Sequence, residues 1–458
     1  MHTFSFRSPI PVPVAELFTW HERPGALERM IPPWEHVEVI HKDSGVREGA
    51  RVHLRMKQGL LSLDWIAQHG AYKRGAYFTD TQVKGPFSYW KHTHRFHSMS
   101  TGRSELEDQI EYSLPGGKLS NAGIGPLVDA KLRRTFAYRH RVVAHDLACA
   151  GRYPDLSPLR IAVAGPRGLL DDALCAFLRV AGHHVLRIVA APHARPGDVL
   201  WDTKSGALDL SLLENTHTFV NLWAGHLPRR HWSQVQRKEM WEDRVHATRR
   251  LVEQLSQLSS GPQTFINASS MTYYGDTGER PLTESSEAGE GFLSQLYHER
   301  EQASYELHHS RVINMRLGMV LSPKGGHLSK ILLPFRLGLG GVMGSGRQHW
   351  SWISLDDFLY QCYHCIMTPQ LVGPVNLVSP NPVRNYSFVK SLGRLLFRPT
   401  WLPMPESIAH ATIGQAAEAF LLSSRRGIPR KLLDSGAIFA YPELEGALVH
   451  VLGVESSS

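Results

Sequence analysis

The sequence predicts two folds in one chain: an α+β domain with a helix across an antiparallel sheet, then an α/β domain with a doubly wound parallel sheet. The chain has 458 residues, too many for one ordinary hydrophobic core. Its first third alternates apolar and polar residues in short pieces, the period of half-buried antiparallel strands. Beyond it, short apolar runs alternate with helix-length segments, the order typical of parallel sheets.

The composition indicates a soluble globular protein and excludes several classes. Apolar residues make up 42% of the chain and charged residues 20%. The net charge of +8 is scattered, without a run of like charges, so we expect no nucleic-acid partner. The N-terminus lacks the charged and apolar regions of a signal peptide. We find no apolar run long enough to span a bilayer, and we predict a cytoplasmic protein.

Residues 1–150 are predicted to form the first domain. A helical segment ends at Pro32-Pro33, six strand-like pieces follow, and helical spacing returns at 124–148, with Leu127, Leu132, Phe136 and Val143 on roughly one face. This domain has more aromatic area than a small sheet needs, so we predict an apolar cavity between sheet and helix that takes a small apolar ligand. The aromatic residues are Trp20, Trp34, Trp65, Phe78, Phe87 and Trp90.

Two groups of metal-binding residue types carry little weight. His92 and His94 share one strand face with His97 nearby, but no carboxylate or thiol partner is apparent beside them. Cys362 and Cys365 form a C-x-x-C in a helical stretch without a second pair, which favours buried helix neighbours over a zinc or redox site. We therefore predict no metal site.

The second domain is predicted to begin after a linker over 151–160, which is rich in Gly, Pro and Ser. Strands and helices then alternate, as in a doubly wound sheet. The predicted strands are 161–164, 185–189, 218–222, 264–268 and 312–316, and the predicted helices are 171–181, 232–257 and 291–308.

The turn after the first of these strands carries Gly165 and Gly168. Glycines let a backbone approach a pyrophosphate closely, and the N-terminus of the following helix favours anions. Asp171 stands where such turns usually have a third glycine, and its carboxylate would face phosphate charge. Asp171 could equally be a helix N-cap. We expect the strand–turn–helix fold to be intact and its dinucleotide affinity to be weak or absent.

Ser269 and Ser270 end another strand, and Tyr274 follows shortly after. Strand carboxyl ends border the crevice where doubly wound sheets bind ligands, although a plain Ser/Gly-rich turn would look the same. The stretch 333–357 holds many glycines with Arg347 and Gln348, which predicts a loop shaped around a substrate. The alternative is a lid packed by its tryptophans without a ligand.

Several stretches of the second part resemble the atypical extended short-chain dehydrogenases/reductases of the epimerase family, related to sugar-nucleotide epimerases. They include ASSMTYYGD, GSGRQHWSWISLDD and IPRKLLDSGAIFAYPELEGAL. The first part, with RPGALERMIPPWE and VKGPFSYWKHTHRF, is similar to START-like SRPBCC domains. The resemblance implies a helix-grip ligand-binding domain, an extended Rossmann domain over 161–390 and a small C-terminal domain over 391–458.

The resemblance also implies an NADP or NAD cofactor beside Gly165, Gly168, Asp171, Ala224, Gly225 and Arg244. Extended reductases pair a tyrosine with a lysine four residues later, and the lysine lowers the phenol pKa. Here Tyr297 is followed at that spacing by Glu301, whose carboxylate would work against ionisation. The chain therefore lacks the Tyr-x-x-x-Lys pair.

Together these features favour an NAD(P)-binding epimerase- or reductase-like protein of unknown substrate, fused to an apolar-ligand (lipid-type) binding domain. Such an oxidoreductase or isomerase would hold the substrate oxygen with Ser269 or Ser270. Tyr274, or less favourably Tyr297, would donate the proton. The alternative is a non-catalytic protein that senses a ligand or nucleotide on the same scaffold.

Overall fold

The structure is a computed structural model that describes residues 1–59, 61–153, 157–190, 194–223, 232–407 and 417–454, with the side chains of Gln58 and 117–123 excluded. The chain divides into two compact units. One holds residues 1–156 with 176–182, and the other holds 157–175 with 183–458.

The N-terminal unit is a seven-stranded antiparallel sheet with a long helix, which confirms the predicted helix-grip fold. The strand order is β1-β7-β6-β5-β4-β3-β2. The strands are β1 (His2–Ile10), β2 (His36–Lys42), β3 (Arg51–Gln58), β4 (Leu61–Lys73), β5 (Tyr77–Lys84), β6 (Tyr89–Ser100) and β7 (Arg103–Ser113). The helices are α1 (Val14–Glu22), α2 (Ala26–Met30) and α3 (Gly117–Ala150).

Helix α3 turns only part of its predicted apolar face inward. Leu132, Phe136 and Val143 are buried, but Leu127 is 71% exposed. Five residues separate Leu127 from Leu132, which places the two side chains about 140° apart around a helix. Leu127 therefore belongs to a different face, and its predicted place in the core is wrong.

The aromatic residues of this unit pack largely on one another. Trp20 and Phe78 are buried, and Trp90 lies 5.0 Å from the Trp65 ring and 4.8 Å from the Phe87 ring, measured between centroids. Such edge-to-face and tilted pairs stabilise a core beyond their buried area. Much of the aromatic area is thus used within the fold, and the apolar cavity stays a prediction.

The C-terminal unit is built on a seven-stranded parallel sheet of order β10-β9-β8-β11-β12-β14-β18. The chain order reverses between β8 and β11, so this pair marks the switch point of a doubly wound sheet. The Rossmann prediction is confirmed. The seven strands of this sheet are β8 (Arg160–Ala164), β9 (His184–Val189), β10 (Val199–Leu200), β11 (Thr218–Asn221), β12 (Thr264–Ser270), β14 (Arg311–Leu317) and β18 (Gly373–Leu377). Six short strands form separate two-stranded pairs: β13 (Pro281–Leu282) with β20 (Arg426–Gly427), β15 (Met319–Leu321) with β17 (Trp352–Ser354), and β16 (His349–Trp350) with β19 (Val383–Arg384).

Helices pack against this sheet, and three of the helices nearer the C-terminus contribute to a further apolar cluster. The helices are α4 (Leu169–Val180), α5 (Gln234–Trp241), α6 (Ala247–Leu255), α7 (Phe292–Tyr305), α8 (Gly326–Arg336), α9 (Leu355–Met367), α10 (Asn385–Leu395), α11 (Arg430–Asp434) and α12 (Leu444–Leu452). A π-helical turn, Glu242–His246, joins α5 to α6. Trp350 and Trp352 lie in one apolar cluster with residues of α8, α10 and α12.

Two further observations concern predicted absences and the cysteines. Among the described residues, no helix is both long and apolar enough to cross a bilayer. Cys362 and Cys365 are fully buried on α9, as the helical pattern predicted. Burial raises the pKa of the Cys365 thiol to about 12, which makes its thiolate, the form that attacks or binds metals, scarce at neutral pH.

Candidate functional site

The candidate site lies along the carboxyl ends of β8, β11, β12 and β14. Three asparagines at one level of these strands fix their register: Asn221 donates to Asn267 (3.0 Å), Asn267 donates to Asn314 (2.9 Å), and both bonds are buried. The parallel ladder pairs the same residues. Because register decides which side chains reach one edge, this row holds the residues after β11 and at the ends of β12 and β14 together.

The turn after β8 is closed from inside by Asp171. Its carboxylate accepts hydrogen bonds from the backbone N–H groups of Arg167 (3.0 Å) and Gly168 (2.7 Å). A Cβ atom at Gly165 would lie 2.5 Å from the Asp171 Cγ, so the first glycine is required by this aspartate. Asp171 is the third residue of α4 and reaches back to the residue before the helix, as the acidic member of a capping box does. The alternative interpretation of Asp171 as the N-cap residue itself is wrong.

The charge of Asp171 has a buried partner on the neighbouring strand. Arg187 of β9 donates to the Asp171 carboxylate at 2.7 Å and also contacts Asp172. Asp171 is 2% exposed and Arg187 is 8% exposed. A carboxylate bonded by a guanidinium and two N–H groups presents little net negative charge to a ligand. The sequence interpretation treated Asp171 as an unpaired charge, and it missed Arg187.

A second buried network lies at the ends of β12 and β14. Ser269 donates to the Glu301 carboxylate at 2.6 Å. Arg316 binds the same carboxylate through two N–H groups, at 2.9 Å and 2.8 Å. Burial alone would lower the pKa of the Arg316 guanidinium, but the Glu301 carboxylate outweighs burial and raises it. The residue at the lysine position is thus a fixed anion that holds an arginine and a serine.

Tyr274 belongs to this network. Its hydroxyl accepts from Arg316 at 2.7 Å and lies 2.7 Å from the Asn376 amide oxygen. The side chain is 1% exposed, and burial raises the pKa of its phenol. The geometry gives Tyr274 the contacts of a positioning residue for Arg316.

Ser270 and Tyr297 are more accessible than Ser269 and Tyr274. Ser270 is partly exposed and accepts from Thr272 N–H at 3.2 Å, which leaves its own proton available for donation. Tyr297 is half-buried, and its ring packs against the cluster that contains Tyr273 and Tyr274. These two hydroxyls occupy the serine and tyrosine positions that the resemblance implies.

Two arginines are buried near each other, and one of them, Arg300, contacts Trp223 after β11. Arg244, on the π-helical turn, is 2% exposed, and Arg300, on α7, is 1% exposed. Arg300 donates to the Trp223 carbonyl at 2.6 Å and to the Asn267 amide oxygen at 3.3 Å. Burial, with the Arg244 charge nearby, lowers the pKa of Arg300 to about 10. Arg244 was a predicted cofactor residue. Arg300 was missed, although its place beside Glu301 on the inner face of a helix was a usable signal.

The remaining predicted site residues are Ala224, Gly225, Arg347 and Gln348. Ala224 and Gly225 lie outside the described residues. Gln348 is 7% exposed and its amide donates to the Met343 and Leu421 carbonyls, which is the environment of a structural residue. Arg347 is exposed, and its substrate role stays a prediction.

The fold and these networks define the class first: an epimerase-type Rossmann unit that follows a helix-grip unit. Three family models match. Residues 161–376 match the NAD dependent epimerase/dehydratase family. Residues 10–137 match Polyketide cyclase / dehydrase and lipid transport, and residues 404–451 match Domain of unknown function (DUF1731).

Curated proteins and solved structures are similar to the whole chain or to about two thirds of it. An epimerase family protein of Mycobacterium bovis is 39% identical over 290 residues, which are 63% of this chain and 96% of that protein. The crystal structure of the nucleoside-diphosphate sugar epimerase from Corynebacterium glutamicum is similar with a TM-score of 0.80 and 30% identity, over 99% of this chain and 90% of that chain. The human epimerase family protein SDR39U1, solved with NADPH, is similar with a TM-score of 0.58 and 28% identity, over 64% of this chain and 99% of that chain.

The chain belongs to the epimerase family of extended short-chain dehydrogenases/reductases, with an N-terminal SRPBCC-type domain and the C-terminal domain of unknown function. The resemblance stated from the sequence is confirmed.

Proposed function

We propose that the C-terminal unit binds a nicotinamide dinucleotide, NADP(H) or NAD(H), along the carboxyl ends of β8, β11 and β12. The observation that carries this proposal is the buried guanidinium of Arg300. In the described part of the chain, the Arg300 guanidinium is hydrogen-bonded to two neutral oxygens rather than to a carboxylate. Burial opposes the positive charge of Arg300, and a phosphate anion in the crevice would offset that cost. The NADPH bound by the human relative supports the same ligand class.

The turn after β8 fits a pyrophosphate. Leu169 and Leu170 begin α4, and the first N–H groups of a helix have no acceptor within it. They remain available to an anion because Asp171 takes the N–H groups of Arg167 and Gly168. Since Arg187 neutralises Asp171, the aspartate does not cancel the positive helix end. We therefore expect a smaller penalty from Asp171 than an unpaired carboxylate would cause.

The chemistry we propose is oxidation or reduction of a hydroxyl or carbonyl carbon, as in epimerase-type reactions. A bound nicotinamide supplies hydride exchange. Ser270 and Tyr297 would contact the reacting oxygen, and Tyr297 would exchange its proton. No lysine adjoins Tyr297 at the usual spacing, and Arg300, one turn away on α7, provides the nearby positive charge. Ser269 and Tyr274 would position Glu301 and Arg316 rather than touch the substrate.

A second function, dinucleotide sensing without turnover, is favoured by one specific observation. The hydroxyls of Ser269 and Tyr274 are both committed to the Glu301–Arg316 network, so a substrate oxygen would have to rely on Ser270 and Tyr297 alone.

For the N-terminal unit we propose binding of a small apolar ligand, which the match to Polyketide cyclase / dehydrase and lipid transport supports. Native mass spectrometry of the purified chain would reveal such a ligand.

The test is a fluorescence titration of the full chain with NADPH and NADH, comparing wild type with Arg300→Met. The wild type should bind one of the two cofactors with a Kd in the micromolar range. Arg300→Met should weaken binding by about tenfold to a hundredfold, since it removes a buried charge-assisted contact. The matched control is Arg249→Met, whose guanidinium forms an exposed pair with Glu306 and should leave the Kd unchanged.

The outcomes separate the candidate functions. Absence of binding at millimolar NADPH and NADH, or equal affinity of Arg300→Met and wild type, would overturn the proposal. Cofactor oxidation with a carbonyl panel, lost in Tyr297→Phe at unchanged Kd, would support turnover. Tight binding without oxidation of the cofactor by any member of the panel would favour the sensing function.

A further inference from the structure

The N-terminal unit buries a separate cluster of histidines and carboxylates on three adjacent strands. Asp80 lies on β5, His92 and His94 on β6, and Asp108 on β7. The ladder pairs Asp80 with His92 and His94 with Asp108. Paired residues point to the same face of a sheet, and His92 and His94 share that face because they are two positions apart on one strand. The sequence analysis missed both carboxylates because they come from neighbouring strands.

Three ligand atoms of this cluster converge at a spacing suited to a metal ion. The Asp80 Oδ2 atom lies 3.3 Å from His92 Nδ1 and 3.7 Å from His94 Nε2. One ligand atom from each of the three residues lies within 4.8 Å of the others. A tetrahedral ion with bonds of about 2.1 Å holds its ligand atoms roughly 3.4 Å apart. The side chains therefore need only small shifts to share an ion.

Asp108 lies against both imidazoles on the side away from Asp80. Its Oδ1 atom lies 2.7 Å from His92 Nε2 and 2.6 Å from His94 Nδ1. Its Oδ2 atom lies 2.6 Å from Nε2 of His140 on α3. Histidines that bind metals commonly donate their other ring N–H to a carboxylate, which fixes the tautomer. An ion at this place requires the tautomers that carry the protons on His92 Nε2 and His94 Nδ1, because lone pairs then lie on the two nitrogens that face Asp80.

We propose that Asp80, His92 and His94 bind a divalent first-row transition-metal ion of the Zn²⁺ class, with Asp108 as the outer carboxylate that orients both imidazoles. Two imidazoles and one carboxylate suit zinc or ferrous iron rather than Mg²⁺ or Ca²⁺, which prefer all-oxygen sites. The two histidines are 4% and 6% exposed, whereas Asp80 keeps a 15% exposed side chain. Three protein ligands leave a fourth position open for water or another ligand.

Charge favours an ion at this place. Asp80 and Asp108 bring two carboxylates into a largely buried region, and buried charges persist when they are paired or coordinate metals. The alternative is a network of shared protons among the same residues with no affinity for metals. The two alternatives differ in whether Zn²⁺ can replace a proton there, so direct binding distinguishes them.

The test is calorimetric titration of the EDTA-treated, dialysed full chain with Zn²⁺, with Mg²⁺ as the control cation. We expect one Zn²⁺ site with a Kd in the micromolar range or tighter and no Mg²⁺ binding. Asp80→Asn and His94→Gln should each weaken this site by at least tenfold. His97→Gln is the matched control, since His97 is on the same strand but its half-exposed side chain pairs with Glu107.

A second measurement uses only the wild-type protein, so it tests the proposal even where the variants fail to fold. Co²⁺ added to the wild type should give the intense visible absorption of a four-coordinate site, displaced by one equivalent of Zn²⁺. Absence of a Zn²⁺ site in the wild type, an absent Co²⁺ band, or Zn²⁺ affinity equal in wild type, Asp80→Asn and His94→Gln would overturn the proposal. Those results would assign the cluster to shared protons or the binding to surface histidines.

Discussion

The candidate site and the histidine cluster hold their carboxylates with different partners. In the C-terminal unit the buried carboxylates of Asp171 and Glu301 are held by Arg187 and Arg316. In the histidine cluster of the N-terminal unit the carboxylates of Asp80 and Asp108 are held by imidazoles, three of which surround Asp108. A guanidinium stays protonated and offers no lone pair, whereas an imidazole can exchange its proton for a metal ion. The first kind of network is a fixed support, and the second kind can change its occupant.

The largest expected loss of stability comes from removing one partner of the buried Glu301–Arg316 pair. Glu301→Leu leaves Arg316 buried beside two tyrosine rings without its carboxylate. Removing one partner of a buried pair costs about 3–5 kcal/mol. We expect this loss in the denaturant-induced unfolding of the C-terminal unit, and substantial recovery in the double variant Glu301→Leu with Arg316→Met.

The control for that experiment is the exposed pair of Arg394 and Glu445. Exposed pairs contribute up to about 1 kcal/mol, so Glu445→Leu should have a small effect. If Glu301→Leu costs no more than Glu445→Leu, the Glu301–Arg316 pair is not the support that its geometry indicates.

The histidine cluster around Asp108 should lose less stability when its central carboxylate is removed. Asp108→Asn keeps the shape of the side chain and one acceptor oxygen for the neighbouring imidazoles. We expect a loss of about 1–3 kcal/mol, the cost of leaving buried polar groups unsatisfied, measured by thermal unfolding. Glu107→Gln, the neighbour on β7 that pairs with Arg7 and His97, is the control. A loss larger than that of Glu301→Leu would contradict the distinction between the two networks.

Whether a feature of the site could be predicted from the sequence depends on whether its residues lie in one segment or on separate elements. The turn at Gly165 and Gly168, the strand that ends at Ser269 and the helix with Tyr297 are local patterns, and the sequence predicted all three elements. Asp80 and Asp108 meet their histidines through strand register, 12 and 14 positions away. Arg187 of β9 meets Asp171 of α4, 16 positions away, through helix–strand packing. No periodicity within one segment indicates those partners. Glu301 was singled out correctly as a departure, but its bond to Arg316 depends on a strand 15 residues away.

A smaller effect should follow from unmasking the charge of Asp171. Arg187→Met removes the guanidinium that bonds both Asp171 and Asp172. A carboxylate about 5 Å from a phosphate costs roughly 1–3 kcal/mol at effective dielectric constants between 20 and 80. We expect NADPH affinity, measured by fluorescence titration, to fall by about tenfold. Arg160→Met, on β8 with its guanidinium bonded to the Leu212 carbonyl, should keep the wild-type Kd. Unchanged affinity in Arg187→Met would mean that Asp171 does not sense the ligand.

The smallest effect is expected for Asp171→Gly, which restores the usual third glycine of the turn. If Asp171 acted as an unpaired charge, its removal would strengthen NADPH binding by about tenfold or more. Because Arg187 and two N–H groups already neutralise it, we expect a gain of less than about fivefold. The variant should also lose about 1–3 kcal/mol of stability, since it removes a capping carboxylate and leaves the buried Arg187 paired with Asp172 alone. A large gain in affinity in the calorimetric titration would show that the pairing with Arg187 fails to screen Asp171. The aspartate would then be a barrier to the dinucleotide rather than a replacement for the glycine.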